Sequence, residues 1–267
     1  MNIELPFFPR SSDLAPVAEK HGFRLGAKGT HTSRTMMLSE LATLFREVKP
    51  DGARDEYADN VILSNVLAKA TFATRKLTNQ RLGELYGLDP KVPPFRVLRK
   101  LWDLETSAQP QLALLLAIAR DPILMGTAEY IISMKVGDEL SRSALKEAIS
   151  NVVADRLNDS ILDKVARNVA STWAQSGHLV GRTFKVRKSV KPAAVSVAFS
   201  LYLGHLAGLR SDELLKSGWV RLLDCNPIKA RELAFEATRL RLIEVRAPGD
   251  YLEFSFDLID PWKKGNA

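Results

Sequence analysis

The sequence predicts a mainly α fold, made of helical bundle blocks with helix-turn-helix or winged-helix character and one or two short β-hairpins. Three observations carry this expectation. Apolar residues recur at helical spacing in most segments between residues 33 and 239. Two junctions, Asp121-Pro122 and Asn226-Pro227, set a capping side chain before a proline at the first helical position, where the missing N–H would have had no intrahelical partner. Strand-like alternation occurs only late, around 179–187 and 240–256.

Residues 1–30 read as an N-terminal arm, rich in proline (Pro6, Pro9, Pro16) and glycine (Gly22, Gly26, Gly29), with a short helix over 13–20. Residues 31–107 form an N-terminal helical domain. There Ser33 caps a helix to 49, with Met37, Leu41, Leu44, Phe45 and Val48 on one face, and Pro50-Asp51-Gly52 ends it. A second helix over 55–70 turns Ile62, Leu63, Val66, Leu67 and Ala70 inward. A third over 74–86 stops at Gly87, and a fourth over 94–102 enters through Pro93-Pro94.

Residues 108–191 form a central block. Its helices are placed at 111–119, 123–134, 141–156 and 160–175, and it ends in a hairpin of 179–180 and 183–187 across Gly181-Arg182. Residues 192–267 form the last block. An amphipathic helix over 192–206 presents Val195, Ala198, Phe199, Tyr202, Leu203 and Leu206. A helix over 227–239 then leads to a hairpin of 240–245 and 251–256 around Pro248-Gly249. No internal repeat and no low-complexity tract interrupts these blocks.

Composition narrows the function classes. Among 267 residues, 46% are hydrophobic and 26% charged, the profile of a globular rather than a disordered chain. The single cysteine, Cys225, excludes an intramolecular disulfide and a multi-cysteine metal site, so a reducing cytoplasm is the expected compartment. The start of the chain, with Glu4 and early prolines, lacks the basic-then-apolar order of a signal peptide. The apolar run from Leu112 to Ala119 is far short of the about twenty residues that a membrane span needs, so it reads as a core helix.

Catalytic patterns are missing from the sequence. His21, His31, His178 and His205 share no metal-ligand spacing, so each reads as a surface or half-buried residue and no metal is expected. Gly26-Ala-Lys-Gly-Thr30 lacks the spacing of a phosphate loop, and no GxSxG or GxGxxG occurs. Asp51, Asp55, Glu56 and Asp59 suit the dipole of a helix start better than acid–base chemistry. The expectation is a protein that is not an enzyme, with no cofactor and no small-molecule substrate.

Charge is where the sequence is distinctive. Lys plus Arg number 38 against 31 Asp plus Glu, a net charge of +7. Two stretches concentrate the excess. The first holds Lys69, Arg75, Lys76, Arg81, Lys91, Arg96, Arg99 and Lys100, opposed only by Glu84 and Asp89, on short helices compatible with a helix-turn-helix. The second holds Lys164, Arg167, Arg182, Lys185, Arg187, Lys188 and Lys191 with no acid inside the span. Its order, a helix and then a basic hairpin, is that of a winged helix, in which the wing tracks the phosphate backbone. The last block repeats that order, but Glu232, Glu236, Glu244, Asp250, Glu253 and Asp257 balance its cations, so it reads as a structural wing. The residues expected to bind nucleic acid are therefore those of the two basic stretches, Lys91 apart.

Three stretches resemble a known family. They are Thr32-Ser-Arg-Thr-Met-Met-Leu-Ser-Glu-Leu41, Asn65-Val-Leu-Ala-Lys-Ala-Thr-Phe-Ala-Thr-Arg75 with Leu82-Gly-Glu-Leu-Tyr86, and Leu112-Ala-Leu-Leu-Leu-Ala-Ile-Ala-Arg-Asp-Pro122. Together they resemble the BrxA family of bacterial BREX (bacteriophage exclusion) systems, over about residues 31–256. The resemblance implies a cytoplasmic helical protein that binds DNA in defence against phage, alongside other proteins of the system and without catalysis. It supplies no contact residues. Two alternatives stay open: an RNA-binding helical module, and a protein–protein scaffold whose basic faces only confer solubility.

Overall fold

The computed structural model describes residues 6–9, 15–26, 28–154, 156–247, 249 and 251–261. The start of the helix expected over 13–20, Ala27 of the Gly26–Thr30 segment, and Pro248 and Asp250 of the expected turn lie outside these residues.

The fold is mainly helical with two short antiparallel hairpins, as expected. Helix α1 (Ala15–Lys20) belongs to the segment read as an arm, and among the described residues of that segment Phe7, Ala18 and Phe23 are buried in the core. Pro6 O accepts from the Gly218 amide at 2.9 Å, Phe7 O accepts from Trp219 Nε1 at 2.8 Å, and the Phe7 ring meets Trp219 edge-on at 5.0 Å.

The expected helix from Ser33 starts later. Residues Thr30–Thr32 form a 3-10 turn that Ser33 closes, and α2 (Leu38–Glu47) begins only after Met37, whose φ is 54°. The reason lies outside the segment. The Met36 amide donates to Thr172 Oγ1 at 2.8 Å, and Met36 O accepts from the Tyr86 hydroxyl, which holds the chain extended. The second expected helix is also shorter. After α3 (Arg54–Ile62), Asn65 and Ala68 take φ of 52° and 50°, left-handed values that an α-helix cannot continue through.

Two helices match their expected spans closely. They are α4 (Phe72–Tyr86), capped by the Thr71 side chain, and α5 (Pro93–Leu101), with proline in its first turn. Phe45, Tyr57, Phe95 and Trp102 pack edge to face between α2, α3 and α5. Helix α6 (Gln109–Arg120) is buried on all sides from Gln111 onward and packs on α4, α5 and α11 (Ala194–Leu206). Its C-terminus runs into Asp121, whose carboxylate caps α7 (Pro122–Gly126) by accepting from the Ile123 and Leu124 amides. The expected helix over 123–134 is divided at Thr127 into α7 and α8 (Ala128–Ser133).

Helices α9 (Arg142–Val153) and α10 (Asp159–Gln175) are capped by Ser141 and Asn158. The first hairpin follows, with β1 (Leu179–Val180) paired to β2 (Val186–Arg187) in the register Leu179 to Arg187 and Val180 to Val186. A third segment joins on the other side of β2, where Glu139 bridges Val186. The resulting order is Glu139, β2, β1.

Helix α11 corrects the amphipathic expectation. Every residue from Ala194 to Gly204 is buried, because α5, α6, α13 and α14 surround it. The sequence reading missed the short helices α12 (Asp212–Lys216) and α13 (Gly218–Arg221). Helix α14 (Pro227–Arg239) begins at the expected Asn226 cap, and β3 (Glu244–Arg246) pairs with β4 (Glu253–Ser255). One cluster of buried side chains reaches from Phe7 to Ile259, so the core crosses the lines drawn at 30, 107 and 191. Among the described residues no single helix is long and apolar enough to cross a membrane.

Candidate nucleic-acid interface

The fold treats the two basic stretches differently. In the first, most cations are committed to internal partners. Lys69 Nζ lies 3.1 Å from Glu40 Oε1, and Arg81 Nη1 lies 2.7 Å from Glu84 Oε2. Arg75 donates to the carbonyls of Ile62 and Lys69, both at 3.4 Å, and so braces the irregular segment between α3 and α4. Lys76 is exposed, with its ammonium 4.7 Å from the centre of the Phe72 ring.

Three further cations are braces. Arg99 is only 3% exposed; it donates to Asp103 Oδ2 and to the carbonyls of Phe45 and Val48, and its guanidinium stacks on the Phe45 ring. Arg96 donates to Asp260 Oδ1 through Nη2 at 2.7 Å, and Lys100 Nζ donates to Leu258 O at 2.6 Å. Both therefore pin the segment after β4 against α5. Reading Arg99 as a phosphate contact is corrected by its burial, and Arg96 holds a carboxylate that would have to be given up.

The second stretch remains outward. On α10, Ser160, Lys164, Arg167 and Ser171 fall on one face at helical spacing, and both cations are exposed. Arg182 and Lys188 are exposed on and just after the β1–β2 hairpin, as is Lys191. Lys164, Arg167, Arg182, Lys188 and Lys191 make no ion pair among the described residues. Lys185 is half-buried, with Nζ 3.2 Å from Gly181 O.

Arg187 is the exception. It is 3% exposed and forms a two-pronged pair with the Asp224 carboxylate while donating to the Ile131 carbonyl through Nε at 3.0 Å. It ties the hairpin to the turn after α13.

Arg167, Arg182 and Lys185 line one groove of about 420 Å³ between α9, α10 and the hairpin, together with Arg142. Its apolar lining is Leu140, Leu145, Ala166 and Ala170, and Glu139 is the acid among its lining residues. The sequence reading missed Arg142 and Lys146. They face Asp163 at 3.2 Å each, and these cations hold the Asp163 carboxyl below its ordinary value, Lys146 foremost. The signal was present as matched i,i+4 pairs, Arg142 with Lys146 on one helix and Asp159 with Asp163 on the next. Lys188 and Lys191 line a neighbouring groove with Lys229, balanced there by Glu105 and Glu236.

Two histidines expected near the surface are buried. His31 Nδ1 lies 2.8 Å from Asp121 Oδ2, and Nε2 lies 2.8 Å from Thr172 Oγ1. Threonine, histidine and aspartate stand in the order of an acyl-transfer triad. All three are 0% exposed, so no substrate carbonyl can reach the hydroxyl. The arrangement is a brace joining the 30–32 turn, the cap of α7 and α10. Burial opposes ionisation of Asp121, yet His31 and the amides of Leu124 and His31 together hold its carboxyl below the ordinary value. His178 is likewise enclosed, between Ser176 Oγ and Leu222 O, each at 2.8 Å. No three His, Cys, Asp or Glu side chains among the described residues are placed to hold a metal ion. Neither the protein-family models nor the curated proteins contain a match to this chain.

Proposed function

We propose that this chain binds duplex DNA without catalysis, through the outer face of α10 and the β1–β2 hairpin, as an accessory protein of a BREX-like phage-defence system. The carrying observation is the convergence of Arg167, Arg182 and Lys185 on one groove beside a solvent-facing helix. The order of elements supports the reading: α9, a short turn, α10, then a hairpin whose β2 also takes Glu139 as a neighbour. This is the connectivity of a winged helix. An α-helix with side chains, about 10–12 Å across, suits the roughly 12 Å major groove of B-form DNA, whereas the major groove of A-form RNA is too narrow to admit it. The defence role rests on the resemblance of residues 32–41, 65–86 and 112–122 to the BrxA family.

Salt dependence of binding tests the reading. On a duplex, log K should fall with log salt at about −0.9 per neutralised phosphate, giving a slope of about −4.5 for some five contacts. Replacing Arg167, Arg182 and Lys188 together with Ala should flatten the slope by about 3 and leave the unfolding midpoint in place. Arg187→Ala should act oppositely and destabilise the fold by about 3–5 kcal/mol, because it strands the Asp224 carboxylate. A wild-type slope near zero, or an unchanged slope in the triple variant, would return the protein to the scaffold reading. Tighter binding to structured RNA than to duplex DNA would favour the RNA module.

A further inference from the structure

The tip of the β1–β2 hairpin carries an aromatic ring that the fold does not use. Phe184 is 68% exposed, in the loop that joins Val180 to Val186, and its neighbour Val180 is 43% exposed. A singly exposed apolar side chain is ordinary, and Ile228 is exposed as much; what sets Phe184 apart is its place in the loop of a hairpin whose Arg182 and Lys185 line the basic groove. The tip conformation is itself specified by glycine. Gly181 has φ of +106°, and a Cβ built there would lie 2.0 Å from Phe184 O, a backbone atom that has no room to give. Arg182 and Lys185 flank the ring in sequence and line the basic groove, whereas Phe184 does not line it.

An apolar tip between two cations is the chemistry of a side chain that enters the minor groove and unstacks a base step while its neighbours hold the phosphates. Resting on the DNA reading above, we propose that Phe184 is a wedge that inserts into the minor groove and kinks bound duplex. The charges favour this occupant over an apolar protein surface, because a partner that covered Phe184 would also have to desolvate Arg182 and Lys185. The preferred site follows from the cost of deformation. A pyrimidine–purine step such as TA unstacks easily, while an A-tract is stiff.

The test uses the full chain and two duplexes of about 30 base pairs, end-labelled for energy transfer, one with a central TA step and one with a central A-tract. The wild-type protein should bring the labels together on the TA duplex and bind it roughly tenfold more tightly than the A-tract duplex. Phe184→Ala should bind both with the wild-type salt slope, without the bend and without the preference. Phe184→Leu should keep the bend, because leucine also serves as a wedge. Salt-dependent binding by the wild type with no bend, or an undiminished bend in Phe184→Ala, overturns the proposal and leaves the DNA reading standing. Binding to neither duplex overturns both. Loss of a protein partner in Phe184→Ala, with DNA bending unaltered, would assign the tip to a protein contact instead.

Discussion

At the scale of single residues, His178 shows how burial turns an ordinary side chain into a pH-dependent support. Its ring is enclosed by Trp173 at 5.1 Å, Ser176 and the Leu222 carbonyl. Burial pushes its pKa down from 6.5 to about 4, with the nearby Asp224 carboxylate opposing that fall and Arg187 adding to it. The folded protein therefore keeps this imidazole neutral under conditions where the unfolded chain would protonate it. The stability that depends on neutral His178 is fully present above pH 6.5 and is lost as pH falls toward 4, a loss approaching roughly 3 kcal/mol. His178→Gln keeps one donor and one acceptor but cannot titrate. Urea unfolding of both proteins across this range should show the stability difference between them shrinking as pH falls. A difference independent of pH would mean that His178 does not carry this linkage.

At the scale of elements, the segment 30–37 is held from outside rather than by its own propensity. The Thr172 hydroxyl oxygen accepts from the Met36 amide and also meets His31 Nε2, while Asn168 Nδ2 donates to His31 O at 2.9 Å. Removing that oxygen at constant shape leaves a buried amide and a buried imidazole nitrogen without a partner, a cost of about 1–3 kcal/mol for each group. Thr172→Val should therefore speed amide exchange in residues 30–37 by about tenfold or more, while the interior of α6 keeps its wild-type protection. Uniform acceleration throughout the chain would show instead that the brace supports global stability. The same logic explains the strand elements. Two-residue strands have little stability of their own, and β2 gains a second neighbour in Glu139 and an anchor in the Arg187–Asp224 pair.

At the scale of the whole molecule, α6 and α11 lie side by side as the buried axis, and elements from every predicted block pack against one of them. Trp102, Trp173 and Trp219 each fall among the fully buried side chains, in three different predicted blocks. A core of this continuity should unfold in one cooperative step, with tryptophan fluorescence and helical circular dichroism giving the same urea midpoint. Separate midpoints would mean that the blocks 31–107, 108–191 and 192–267 are independent folding units after all.

The sequence alone determined where helices start wherever the signal is local. Asp121-Pro122, Asn226-Pro227, Thr71 and Asn158 each act within one turn of themselves, so the helices they cap begin close to where they were expected, although the one begun at Pro122 ends early at Gly126. Excess positive charge around 164–191 was legible in the same way. Only the tertiary structure decided which charges face outward. Arg99 and Arg187 look like any other cation in a basic run, but whether a guanidinium is solvated or paired depends on residues such as Phe45, Val48 and Asp224, brought in from distant parts of the chain. The late start of α2, the full burial of α11 and the packing of the N-terminal segment on Trp219 have the same cause. Each is set by contacts made across the core, and these are written in no local pattern.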